Sequence, residues 1–123
     1  MKRIVEKIPI EIVRYEGVED AATGRFEGGV EEPSFLDELE VQIADDSAYD
    51  AATDALSPTG RVQLHLRGSR RAYFELGRYL VALSRHQTAD PDPHDHLEAP
   101  RNSAGGTLHL IVHGPRDATR PAS

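Results

Sequence analysis

The strongest periodic signal in the chain is helical, in RRAYFELGRYLVALSRH at residues 70–86, and it limits what the remaining segments can build. Tyr73, Leu76, Leu80 and Leu83 recur at spacings of 3, 4 and 3, a stripe widened by Ala72 and Tyr79. Arg71, Glu75, Arg78 and Arg85 take the opposite side, and Phe74 and Val81 flank the stripe. Ser69, following Gly68, offers a side-chain oxygen to the orphan N–H groups of the first turn. A helix with one apolar stripe must bury it against another layer, and most of the other patterned segments have period two.

ELEVQI at 38–43 alternates, with Leu39, Val41 and Ile43 on one face. RVQLHLR at 61–67 does the same with Val62, Leu64 and Leu66, and TLHLIVHG at 107–114 with Leu108, Leu110 and Val112. HDHLE at 94–98 is a shorter extended piece after the loop QTADPDP, and PRNSAGG at 100–106 is a run of breakers. Near the start, IVEKIPIEIV at 4–13 reads as a strand, at an edge or bulged where Pro9 lacks a donor. DDSAYDAATDAL at 45–56 reads as a short helix capped by Asp45, Asp46 or Ser47, and SPTG at 57–60 as a turn. The expected architecture is α+β: a single antiparallel sheet of four to five strands with one main helix, about 70–86, packed on one face. Leu64, Leu66, Leu76, Leu80, Leu83, Leu108, Leu110 and Val112 are its expected core. Residues 1–114 make one domain, with 15–36 as an acidic loop or loose hairpin and 115–123 as a flexible tail.

Composition removes several classes of function. There is no cysteine, so disulfides, thiolate chemistry and cysteine-based zinc sites are out. The opening MKRIV reaches Glu6 before any apolar run of signal-peptide length, and nothing approaches the roughly 18 apolar residues of a membrane span. A cytoplasmic protein that engages no membrane is expected. The net charge of −7 is uneven: residues 15–57 hold thirteen acids against Arg25 alone, net −12, while the segments on either side are mildly basic. Such a block repels nucleic acid and suits a basic protein partner, or it is simply a solvated loop. Arg61, Arg67, Arg70 and Arg71 gather ahead of the helix and could meet a phosphate, but the acidic block argues against nucleic acid.

Six histidines are the other chemical resource. Strand parity puts His65, His109 and His113 on the faces away from the apolar sets, and His94 and His96 share one side of their own strand, flanked by Asp95 and Glu98. Neutral imidazoles bind zinc, nickel or copper, so a cluster drawn from His65, His94, His96, His109 and His113 is an alternative metal or enzyme site. Against it stands the weakness of an HxH pair as a signal and the commonness of histidine on solvated strands. GxSxG, Walker and Rossmann fingerprints are absent, and no nucleophile stands out, so neither catalysis nor a cofactor is expected.

VQLHLRGSRRAYFELGRYLVAL, DPHDHLE and GGTLHLIVH together resemble small bacterial proteins of the immunity-protein thirty-two family, over residues 61–114. His94, His96, Leu97 and Glu98 are the most distinctive points of that likeness. The resemblance implies a non-catalytic protein that neutralises a bacterial toxin by direct contact. Many such toxins are basic, which fits the acidic block; Glu31, Glu32, Glu38, Glu40, Asp45 and Asp46 are the candidate contact residues. A second copy of the chain, forming a homodimer, is the other partner considered.

Overall fold

A computed structural model describes residues 1–19, 21–24, 26–88 and 90–116. Among these residues, six strands and one helix follow in the order β1 (Arg14–Glu19), β2 (Phe26–Val30), β3 (Leu39–Asp50), β4 (Ala55–Gly68), α1 (Arg70–Ser84), β5 (His94–Leu97) and β6 (Leu110–His113), with a 3-10 turn at Leu36–Glu38 ahead of β3. The class is α+β, as expected. The strands, however, make three separate two-stranded antiparallel ladders, β1–β2, β3–β4 and β5–β6, and not one ladder of four or five. Arg101, in the connection between β5 and β6, bonds that connection to the edge of β3. Arg101 donates its N–H to the Leu39 carbonyl at 2.8 Å and accepts from the Val41 N–H at 2.9 Å, and it also bridges to Thr107. Pro100, just before it, has no N–H to extend the stitch.

The helix begins and ends close to where its local signals place it. Ser69 Oγ accepts the Ala72 N–H at 3.1 Å, the expected cap. At the other end the Arg14 guanidinium donates to the Arg85 carbonyl at 2.8 Å, satisfying one of the orphan acceptors of the last turn. The face that α1 buries is rotated from the expected stripe. Ala72, Tyr79, Ala82 and Leu83 are buried, while Tyr73 and Leu80 are exposed. Tyr79 and Leu83 form the core together with Leu36, Leu39, Val41 and Leu97.

Of the expected core, Leu83 is buried, and Leu76, Leu108, Leu110 and Val112 pack against it partly buried. Leu64, Leu66 and Leu80 do not belong to it; they are 68%, 42% and 47% exposed. The reason lies in β3 and β4. The segment read as a helix, 45–56, instead continues β3 to Asp50, turns at 51–54 and returns as β4, so the two strands build a long hairpin that outruns the helix. Asp50 Oδ1 accepts the Ala52 N–H at 2.9 Å, and Asp54 takes a left-handed conformation, φ 50°, that aspartate tolerates. SPTG is no chain reversal: residues 59–61 of β4 lie opposite the single Asp46 of β3 as a bulge.

Residues 1–13 join no ladder. Pro9 removes a donor in mid-segment, and among the described residues only the Glu11 and Val13 carbonyls are held, by Arg78 and by the Glu31 N–H. Ile4, Val5 and Ile8 are exposed as a result. β1 and β2, within the acidic stretch, pair with each other in antiparallel fashion. Most of the expected tail, 117–123, lies outside the described residues. Among the described residues no helix is long and apolar enough to cross a membrane.

Candidate functional site

The β3–β4 register places Val41 opposite Leu66 and Ile43 opposite Leu64, so four apolar side chains share one face of the hairpin. Core residues cover that face only as far as Val41. Beyond it, Leu64, Leu66, Leu76, Leu80, Leu108 and Leu110 line an open groove of about 690 Å³. The helix side that the rotation of α1 left uncovered forms one wall and β6 forms another. Farther out, the Tyr49–Leu56 pair and Val62 are also exposed. Among the described residues β4 has a ladder on one side only, which leaves a long edge where the Leu66 carbonyl accepts the Tyr73 hydroxyl.

The predicted contact acids differ in their surroundings. Glu38 is held by Arg71, whose Nε lies 2.9 and 2.8 Å from its two carboxylate oxygens and whose guanidinium rests 4.2 Å over the Phe35 ring. That pairing, first of all, keeps the Glu38 carboxyl below the ordinary carboxylate range. Glu40 pairs with Arg67 at 3.3 Å across the hairpin. Asp46 fastens the bulge: it accepts from the Thr59 hydroxyl at 2.8 Å, from the Gln63 amide at 2.7 Å and from Arg61 at 2.9 Å. Those hydrogen bonds, the Thr59 one foremost, lower its carboxyl pKa. Glu31 and Glu32 lie on the chain leaving β2, away from the hairpin tip. Asp45 is exposed at the tip and has no ion pair among the described residues. From Asp45 to Gly60 the tip carries four acids and no base.

The histidines sort differently. His65 sits on the polar face of β4, its Nε2 2.8 Å from Gln63 Oε1, and joins no other imidazole. The other four candidates form a row on the face of β5–β6 turned away from Leu110 and Val112. His113 is opposite His94 in the ladder, with ring centres 5.6 Å apart; His96 follows at 5.0 Å from His94, and His109 at 5.0 Å from His96. His96 Nδ1 and His109 Nε2 are 2.8 Å apart, one ring N–H donating to the other ring's bare nitrogen. Asp92 stands at one end of the row and Glu98 at the other, 4.0 Å from His109. Asp95 is not part of it: its carboxylate accepts the Tyr79 hydroxyl at 2.5 Å on the inner side. Burial first, and the Asp95 carboxylate second, push the Tyr79 phenol above its ordinary range.

Asp92 and Arg101 are the residues that reading along the chain passed over. The DPDPH spacing could have drawn attention to Asp92, but nothing local marks Arg101 as a stitch. Comparison with family models, with curated proteins and with solved structures finds no match.

Proposed function

We propose that this protein works by binding another protein, with the outer part of the β3–β4 hairpin and the groove at its foot as the contact surface. One observation carries the reading: a contiguous apolar face, Ile43, Leu64 and Leu66 with Leu76 and Leu80, is left open where the core stops. Apolar patches of that extent on a small domain mark interaction sites far more often than bare surface. The charge around it selects the partner. The tip brings Asp45, Asp50 and Asp54 and no base, so a basic domain with an apolar ridge is the complementary occupant. The family resemblance adds a biological form to this reading, a cytoplasmic immunity-type protein that neutralises a bacterial toxin by contact. Of the six acids singled out in the sequence, Asp45 is best placed for such a contact, because Glu38, Glu40 and Asp46 are already paired within the chain.

A pull-down with the product of the neighbouring gene tests this, followed by titration of the purified pair. Leu64→Asp places a charge at the centre of the proposed contact and should weaken binding by at least about tenfold. Asp45→Lys with Asp50→Lys should weaken it less, and wild-type affinity should fall with salt as the Debye length shrinks from about 10 Å at 0.1 M to about 3 Å at 1 M. Unchanged binding in Leu64→Asp overturns the groove as the contact. Sedimentation of the chain alone separates this from self-association: a dimer that Leu64→Asp dissociates would make a second copy the occupant.

A further inference from the structure

We infer that Asp92, His94 and His113 form a site for a divalent transition-metal ion of the zinc class, which clamps the open end of the β5–β6 hairpin. Asp92 Oδ2 is 3.7 Å from His94 Nδ1, and Asp92 Oδ1 is 3.5 Å from His113 Nδ1. One ligand atom from each of the three residues lies within 4.8 Å of the others. Ligands held about 2.0–2.2 Å from a tetrahedral ion stand roughly 3.3–3.6 Å apart. The two carboxylate–imidazole separations are thus already close to those of a loaded site. The remaining closure falls to exposed side chains.

The backbone under the ligands is set beforehand. His94 and His113 are direct partners in the ladder, and the Gly114 N–H donates to the Pro93 carbonyl at 2.8 Å just beyond them. Binding therefore has little main chain to order, which favours affinity. Two imidazoles and one carboxylate are a borderline donor set, suited to zinc, cobalt, nickel or copper and poor for magnesium or calcium, which want oxygen throughout. A fourth position is left for water or for His96, whose ring lies 5.0 Å from that of His94. His94 Nδ1 also lies 2.9 Å from the Asp92 carbonyl, to which it donates when no metal is bound. Ligation through that nitrogen exchanges the hydrogen bond for a metal bond, the single proton of the neutral ring moving to Nε2. The ion ties the residues before β5 to the last residue of β6, whose other side, at Leu110 and Val112, is a wall of the apolar groove. The inference stands independently of the partner-binding reading.

The experiment uses the untagged chain after chelation, titrated with Zn²⁺ and, in parallel, with Mg²⁺. Calorimetry should give one Zn²⁺ per chain, and thermal melting should shift upward with Zn²⁺ but not with Mg²⁺. Asp92→Asn and His113→Ala should each weaken Zn²⁺ binding at least tenfold and abolish the melting shift, and His65→Ala should leave both unchanged. The three ligand side chains are exposed, so the variants keep the core, and their circular dichroism without metal serves as the control. As a second readout, Co²⁺ should give visible ligand-field bands that His94→Ala removes. Equal responses to Zn²⁺ and Mg²⁺, or Zn²⁺ binding that survives in Asp92→Asn and His113→Ala, overturns the site.

Discussion

At its root the β3–β4 hairpin buries Leu39 to 1% exposure, and four residues farther along the same face Ile43 is 70% exposed. Both belong to one alternating run on one strand. What differs is the material opposite them. Leu39 meets Leu36, Tyr79, Leu83 and Leu97, and its carbonyl is taken by the Arg101 N–H. Ile43 stands opposite its cross-strand neighbour Leu64 and faces the open groove. Alternation along a strand therefore says which face is apolar and nothing about whether that face is covered.

The largest expected contrast is in stability. Leu39→Ala removes a fully buried side chain and should cost about 2–5 kcal/mol, enough to threaten a domain of this size. Leu64→Ala, at the exposed part of the same face, should stay within about 0.5 kcal/mol. Chemical denaturation of both variants at several protein concentrations checks this. A large, concentration-dependent loss in Leu64→Ala would mean that the outer face is covered in solution by another copy.

Next in size is the hydrogen bond that braces the root from behind. Tyr79→Phe leaves the Asp95 carboxylate without its donor and should cost about 1–3 kcal/mol near neutral pH. The sign of its pH dependence follows from the raised phenol pKa. The neutral hydroxyl stabilises the fold fully below the ordinary tyrosine value, about 10, and the contribution fades as pH rises from there toward the higher folded-state value. Wild type and Tyr79→Phe should therefore converge in stability in strong alkali, as unfolding followed by circular dichroism would register.

The smallest effect belongs to the outer hairpin. Asp46 has a lowered pKa, so its contribution is present above the ordinary carboxylate value, about 3.9, and is lost as pH falls through the lower folded-state value. Asp46→Asn should speed amide exchange around residues 58–63 while leaving the global unfolding midpoint close to wild type. A global loss comparable to that of Tyr79→Phe would show that outer hairpin and root unfold as one unit, against the expectation that sparsely packed segments open first.

How much of this was legible along the chain depends on the range of the force involved. The helix start at Ser69 was legible because a cap acts over three residues. The apolar parities of residues 39–43, 62–66 and 108–112 were legible because alternation is local. Residues 45–56 misled because aspartate and serine, which cap helices, also build turns, and alanine-rich stretches carry no opposing signal. Pairing with β4 decided between the two, as the outer end of an eleven-pair ladder whose seven pairs from Leu39–Gly68 to Asp45–Val62 reach beyond residues 45–56. The candidate site shows the same division. Parity alone put His109 and His113 on one side of their strand, and His94 and His96 on one side of theirs. Bringing the two pairs into one row with Asp92, and leaving His65 out, required the His94–His113 register.

The amino-acid sequence by itself determined the α+β class, the position of the helix, the faces of the short strands and the acidity of residues 15–57, all properties carried by neighbouring residues. Tertiary structure alone decided that the helix would turn Ala72, Ala82 and Tyr79 inward, that Arg101 would tie the β5–β6 connection to β3, and that Leu64, Leu66 and Leu80 would stay uncovered. The physical reason is that burial is a property of pairs of surfaces. A stripe of leucines carries the same free energy of transfer wherever it lies, but it is realised only where another element comes within contact, and here the helix ends before the hairpin does.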